Sequence, residues 1–275
     1  MSLWGLIFIL KSVKRNNYMN IRVLGCYGSK FPGHNTACFL LNEEILLDAG
    51  TITSVLSLEE QIKIEYVLVT HTHLDHVCDI MFLADNLYYS KKEYPAIRVL
   101  STQGVIDALR ANLFNNIIWP DFSSIPTPEK PLLKFEIIQL GVRFQLNNLT
   151  ITSVRVNHTV ETIGYVIESE SGSFVFIGDT GPTDDVWKVM RKLKNLKAVF
   201  IEVSLPNSME DIADITGHLI PASLGRELKK LGAITPDIYL YHMKPQYEET
   251  IRKEIDLIKN KDIHILSEGE VIKIG

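Results

Sequence analysis

The sequence predicts an α/β fold of two mixed β-sheets with helices on their outer faces, and three observations lead there. Short apolar runs follow one another first as a meander and later in alternation with helical patterns, the order that two mixed sheets require. The composition, 46% hydrophobic and 22% charged over 275 residues, is enough to bury about three quarters of the unfolded surface. Residues able to hold a metal end several of the expected strands, from position 71 to position 242. Both halves of the chain must therefore meet at one site, which favours one domain over the two that length alone would allow.

Along the chain, the apolar runs predict strands at 21–26, 36–41, 45–48, 65–70, 97–100, 134–139, 150–157, 162–168, 173–178, 198–203, 237–241 and 263–266. Several are almost wholly apolar, such as Ile45-Leu-Leu, Tyr66-Val-Leu-Val and Phe174-Val-Phe-Ile, as strands covered on both faces must be. Apolar residues at three- and four-residue spacing predict helices at 52–60, 75–90, 102–112, 184–195, 221–232 and 246–259. Residues 112–131 stand apart as an insertion. With prolines at 120, 126, 128 and 131 they cannot form one regular helix or a central strand. Trp119 and Phe122 either anchor this loop to the core or cover a site and stack on a ring.

The most informative stretch is His71-Thr-His73-Leu-Asp75-His76, which places four candidate ligands in six residues directly after a strand. Imidazole and carboxylate together suit Zn, Mn or Fe without any thiolate. The alternative is a polar loop that happens to be rich in histidine. His158, Asp179 and His242 each follow an apolar run in the same way. Asp179, inside Gly178-Asp179-Thr180-Gly181, could also close a turn.

This loop resembles the HxHxDH signature of the metallo-β-lactamase superfamily, and the later His, Asp and His come in that family's order. The resemblance implies a four-layer αββα sandwich with two divalent metal ions, Zn foremost and Mn or Fe as alternatives. It implies that His71, His73 and His158 hold one metal, Asp75, His76 and His242 the other, and Asp179 both. Asp48, in Ile45-Leu-Leu-Asp48, matches a position whose carboxylate supports the ligand loop from behind; a strand-terminal Asp starting a turn is the other reading. Phe176-Ile-Gly-Asp179-Thr-Gly-Pro, Phe200-Ile-Glu-Val-Ser204 and Thr216-Gly-His218-Leu look like class II cyclic-nucleotide phosphodiesterases. That likeness implies hydrolysis of 3′,5′-cyclic nucleotides to 5′-nucleotides by a hydroxide bridging the metals. Asp75 and His218 are then the expected catalytic residues, with His218 near the leaving group; alternatively His218 makes a structural hydrogen bond.

The competing readings are an RNase Z-like tRNA 3′-processing endonuclease, another hydrolase of small esters on this fold, and a non-catalytic metal-binding module. The net charge of −5 disfavours a polyanionic partner, so a small phosphodiester is the expected substrate; a homodimer is compatible with this reading. The basic run Arg191-Lys192-Leu-Lys194 sits near the end of an expected helix, where cations are favoured. Cys26, Cys38 and Cys78 lack CxxC spacing and fit buried thiols in a reducing, cytoplasmic setting. Residues 1–18 are read as an N-terminal extension to a metallo-hydrolase domain at 19–275. Their apolar run at 2–10 is too short to span a bilayer, and Ile7 to Leu10 could add a strand.

Overall fold

The structure, a computed structural model, describes residues 18–90 and 95–275; the expected extra strand at 7–10 lies outside the described residues. The strands are β1 Met19–Gly25, β2 Cys38–Leu41, β3 Ile45–Leu47, β4 Tyr66–Leu68, β5 Ile97–Ser101, β6 Pro126–Thr127, β7 Lys130–Pro131 and β8 Leu133–Ile137. They continue with β9 Arg143–Leu146, β10 Leu149–Arg155, β11 Ile163–Glu168, β12 Ser173–Phe176, β13 Leu196–Glu202, β14 Asp237–Tyr241, β15 Ile263–Ile265 and β16 Val271–Ile274. The helices are α1 Leu58–Gln61, α2 Leu74–Val77, α3 Asp79–Tyr89, α4 Gln103–Asn112, α5 Asp185–Met190, α6 Glu210–Thr216, α7 Pro221–Leu228 and α8 Glu248–Asp256. Two seven-stranded sheets result, in the orders β16-β1-β2-β3-β4-β5-β8 and β15-β14-β13-β12-β11-β10-β9. Each is mixed: β3, β4, β5 and β8 run parallel in the first, and β12 to β15 in the second.

Strand alternation sorts the side chains into layers. Ile21, Val23, Phe39, Leu47 and Leu68 from the first sheet meet Ile151, Tyr165, Phe176 and Phe200 from the second in a central core. The opposite face of the first sheet packs under α3 and α4, through Ile80, Leu83, Ile106 and Leu109. That of the second packs under α5, α7 and α8, through Trp187, Leu224 and Ile251. This is the expected four-layer αββα sandwich. Tyr165 crosses the central core so that its hydroxyl donates to the Val69 and Leu100 carbonyls at 2.7 and 3.2 Å. The end of β4, where the histidine loop begins, is thereby tied to the second sheet.

Several element expectations need correction. The helix expected at 52–60 is only α1, because the backbone N–H groups of Ile52 and Thr53 donate to the buried Asp79 carboxylate instead of building a helix. The helix expected at 75–90 breaks into α2 and α3. Ala49 inserts at the break: its N–H donates to the His76 carbonyl at 2.7 Å, and its carbonyl accepts from the Asp79 N–H at 3.0 Å. The pieces expected at 184–195, 221–232 and 246–259 are shorter, as α5, α7 and α8. Strands β6, β7, β9 and β16 and helix α6 were not expected. The insertion at 112–131 is anchored to the core: Phe114 and Phe122 are buried in the cluster under the first sheet, and Trp119 Nε1 donates to the Met81 carbonyl at 3.1 Å. Among the described residues no helix is long and apolar enough to cross a membrane.

Asp79 thus joins the turn after β3 to the start of α3 through one carboxylate that also accepts from Thr53 Oγ1 at 2.9 Å. Asp79→Ala strips these donors of their acceptor and is expected to lower stability by about 2 kcal/mol. Urea denaturation checks this, with an unchanged midpoint as the contrary result.

Candidate metal centre

Topology gathers the candidate residues before any side-chain detail matters. β3 and β4 run parallel, as do β12, β13 and β14, and β10 is two antiparallel steps from β12 and so points the same way. Asp48 follows β3, and His71, His73, Asp75 and His76 follow β4. His158, Asp179 and His242 follow β10, β12 and β14, while Glu202 ends β13. The sheets join at this edge, where the His242 N–H donates to the Cys26 carbonyl at 2.6 Å, just past β1.

The seven expected ligands form two neighbouring groups of donor atoms. His71, His73, His158 and Asp179 make one; Asp75, His76 and His242 make the other. Asp179 lies between them. Its Oδ2 is 3.7 Å from His71 Nε2 and 3.2 Å from His242 Nε2, and its Oδ1 is 3.4 Å from His76 Nε2. Asp75 Oδ2 is 3.3 Å from His242 Nε2. His73 turns its Nδ1 toward His158 Nε2, at 3.3 Å. His34 and His264, which match no ligand position, lie elsewhere: His34 is edge-on to Tyr27 and His264 stacks on Tyr239.

Two fully buried carboxylates set which nitrogen each imidazole presents. Asp48 Oδ2 accepts from His76 Nδ1 at 2.7 Å and from Thr70 Oγ1 at 2.8 Å, and Thr70 Oγ1 lies 3.0 Å from His71 Nδ1. Asp48 Oδ1 accepts from the Thr70 N–H at 2.8 Å, which fixes the loop's first residue. On the other side Glu202 Oε1 accepts from His218 Nδ1 at 2.8 Å, and Glu202 Oε2 accepts from Ser204 Oγ at 2.7 Å. Ser204 Oγ in turn accepts from His242 Nδ1 at 2.8 Å. His158 Nδ1 donates to the Gly217 carbonyl at 2.8 Å. With these Nδ1 atoms carrying the proton, the Nε2 lone pairs of His71, His76, His158 and His242 face the cluster.

The arrangement fits cations. His76 Nε2 and His242 Nε2 stand 3.1 Å apart, a spacing that needs either a proton or a metal cation between the two nitrogens. His71 Nε2 and Asp179 Oδ1 are buried without any hydrogen-bond partner, a cost that native interiors rarely carry unless function requires it. Burial pushes the His71 imidazole well below its ordinary pKa, with the neighbouring His76 adding to the effect. His73 and His158 are lowered too, again chiefly by burial. Neutral imidazoles of this kind are the form that binds metal. Burial works against a charged Asp179, yet the imidazoles of His242 and His76 outweigh it and hold the carboxyl well below the usual range. For His218 burial is likewise outweighed, here by the Glu202 carboxylate, and its pKa is raised.

Residues 44–243 match the family described as the beta-lactamase superfamily domain. The chain belongs to that superfamily. Within it, the chain is similar to a ribonuclease Z from Sulfolobus acidocaldarius, 30% identical over 169 residues, which are 59% of this chain and 52% of the relative. It is also similar to the 3′,5′-cyclic-nucleotide phosphodiesterase of Schizosaccharomyces pombe, 26% identical over 219 residues, 68% of this chain and 59% of the relative. The chain therefore spans a little over half the length of these curated relatives. Among solved structures, unliganded yeast PDE1 has the same fold, with a TM-score of 0.78 at 18% identity over 92% of this chain and 99% of that one.

Sequence reasoning gave no role to Thr70, nor to Glu202 and Ser204 within the family-like segment Phe200-Ile-Glu-Val-Ser204, although their side chains orient the imidazoles. One signal was available for Glu202: an acid closing the wholly apolar run Ala198-Val-Phe-Ile, where burial demands a partner. The backbone also bears the site's imprint. Asp48 and His242 both adopt left-handed φ values, 56° and 72°, at a cost of about 1–3 kcal/mol each that only a well-determined surrounding sustains.

Gly28 makes the fit around His242 possible. A Cβ there would lie 2.5 Å from the His242 carbonyl oxygen and 2.6 Å from its Nδ1. Gly28→Ala is expected to push the ring off the Ser204 hydroxyl and to reduce bound metal by more than half, as read by elemental analysis after dialysis. Unchanged metal content would show that the ring tolerates displacement.

Proposed function

We propose that this chain is a dinuclear-metal phosphodiesterase that hydrolyses 3′,5′-cyclic nucleotides to 5′-nucleotides. The observation that carries the reading is a pair of neighbouring donor groups with Asp179 within 3.7 Å of nitrogens from both, beside a His218–Glu202 pair. His71, His73, His158 and Asp179 would hold one divalent cation, Zn foremost, and Asp75, His76, His242 and Asp179 the other. Such cations supply Lewis acidity toward the phosphoryl oxygens and lower the pKa of water.

The chain's own groups do the rest. Asp48 and Glu202 keep the imidazoles in the tautomers that face inward. Glu202 holds His218 Nδ1, which leaves Nε2 as the atom that can give a proton to the departing O3′. The raised pKa of His218, owed to Glu202 against the effect of burial, favours the protonated form such a donor needs. Asp75 is the more exposed of the two acidic donors and is placed to orient an incoming water. The S. pombe phosphodiesterase aligns with 68% of the chain, which supports the cyclic-nucleotide reading. The ribonuclease Z relative, at 30% identity, favours a second one, tRNA 3′ processing. The net charge of −5 weighs against so large a polyanion.

The test is a substrate panel on Zn- or Mn-reconstituted protein: cAMP, cGMP, bis(p-nitrophenyl) phosphate and a pre-tRNA. Cleavage of a cyclic nucleotide that is lost on chelation and restored by metal is the expected result. Cleavage of pre-tRNA with cyclic nucleotides untouched would replace this reading by the second.

Two substitutions probe the assigned roles. Asp179→Asn removes the shared charge and should cost at least one metal ion and most activity, whereas His264→Ala should cost neither; equal activity in Asp179→Asn and wild type would exclude a bridging carboxylate. His218→Ala should lower kcat by about 10²–10⁴-fold for ribose O3′ as leaving group. The loss should be much smaller for p-nitrophenolate, which departs without a proton, and metal content should be unchanged. Equal losses on both substrates would make His218 structural.

A further inference from the structure

Lys244 stands two residues past His242, and its surroundings are unusual for a lysine. The side chain is partly buried, yet among the described residues no carboxylate lies within 4.0 Å of its ammonium to form an ion pair. Its one hydrogen bond runs to the neutral carbonyl of Gly28. The nearest acid along the chain, Glu248, is already engaged by the Tyr27 hydroxyl at 3.1 Å and by Arg252 at 2.7 Å. A lysine ammonium carries three donors, and the Gly28 carbonyl takes one of them. The other two donors can take an anionic oxygen brought by a ligand.

The backbone says where that partner would sit. The Lys244 N–H donates to the Ser204 carbonyl at 3.1 Å, and the Ser204 hydroxyl lies 2.8 Å from His242 Nδ1 and 3.3 Å from His218 Nδ1. At its other end the side chain reaches Gly28, whose Cα packs against the His242 ring. The ammonium is therefore held at the Gly28 turn, which packs against the His242 ring. A lysine acts on phosphate as a compact point charge with three rotatable donors, so one donor can stay on Gly28 while another takes an anionic oxygen.

We propose that Lys244 is a substrate-binding residue that takes a non-bridging phosphoryl oxygen of the phosphodiester, and of the phosphomonoester product, beside the metal cluster. The proposal rests on the phosphodiesterase reading for its substrate, but the binding of an isolated phosphate group does not require turnover. Its role is recognition: the positive charge is present in both ground and transition states, so its loss falls on binding more than on the chemical step.

The experiment titrates inorganic phosphate and 5′-AMP into metal-reconstituted full-length protein by calorimetry, alongside metal analysis and thermal melting. Lys244→Met should weaken both ligands by about tenfold or more, with metal content and Tm at wild-type values. Lys244→Arg, which keeps the charge and a donor for Gly28, should stay within a few-fold of wild type. Lys192→Met, from the exposed basic run, should bind as wild type does and so exclude a general charge effect. On any phosphodiester that is turned over, Lys244→Met should raise KM while kcat moves little. Wild-type phosphate affinity in Lys244→Met overturns the proposal. So does weakened binding accompanied by loss of metal or a lowered Tm, which would make Lys244 a latch for the Gly28 turn. A wild type that binds phosphate but turns over no phosphodiester would instead defeat the phosphodiesterase reading and leave the Lys244 comparison readable from the titrations.

Discussion

The site depends on two carboxylates placed where water does not reach. Asp48 and Glu202 are both fully buried, and each accepts one imidazole Nδ1–H directly and serves a second through a hydroxyl, Thr70 or Ser204. A buried carboxylate is costly unless its oxygens are occupied by donors, and here those donors are the imidazoles, the hydroxyls that orient them and the backbone N–H groups of Thr70 and Thr180. Satisfying the two acids and aiming the Nε2 lone pairs are therefore one physical event. Removing either acid would leave an imidazole free to rotate or to change tautomer.

The rest of the architecture supplies these two acids with an address. Asp48 leaves β3 beside the start of the histidine loop, and Glu202 leaves β13 between the strands that deliver Asp179 and His242. The first sheet thus contributes one acid and four donor residues, and the second contributes the other acid and three. Tyr165 and the contact from His242 to Cys26 bind the sheets at this edge. Close approach is allowed at Gly28 and at Gly50, where a Cβ would collide with the Asp75 carbonyl. Left-handed backbone at Asp48 and His242 shows that positioning these two groups took precedence over local comfort.

Much of this was legible in the chain because apolar runs mark the strands and chemistry-bearing residues end them. The layer order, the seven donor positions and the place of Asp48 all follow from that pattern and from the family likeness. What stayed hidden depends on tertiary partners. The 52–60 segment has helical spacing, but its N–H groups are taken by Asp79, remote in sequence. The 75–90 helix breaks because Ala49 of another segment inserts into it. Helix α6 escaped notice although Glu210 and Asp211 open it and Gly217 closes it with a left-handed cap, since Ile212 and Ile215 remain exposed and give no amphipathic stripe. Ser204 and Thr70 look like ordinary hydroxyls until the folded chain sets them between an acid and an imidazole.

The central claim is that two cations share Asp179 in an edge site whose imidazoles are aimed by Asp48 and Glu202. Anomalous diffraction from crystals of the Zn-reconstituted protein tests it most directly. The account predicts two peaks about 3.5–4 Å apart, with one Asp179 oxygen on each or one between them, and His218 bound to neither. A single peak, or two peaks of which Asp179 touches only one, would contradict it.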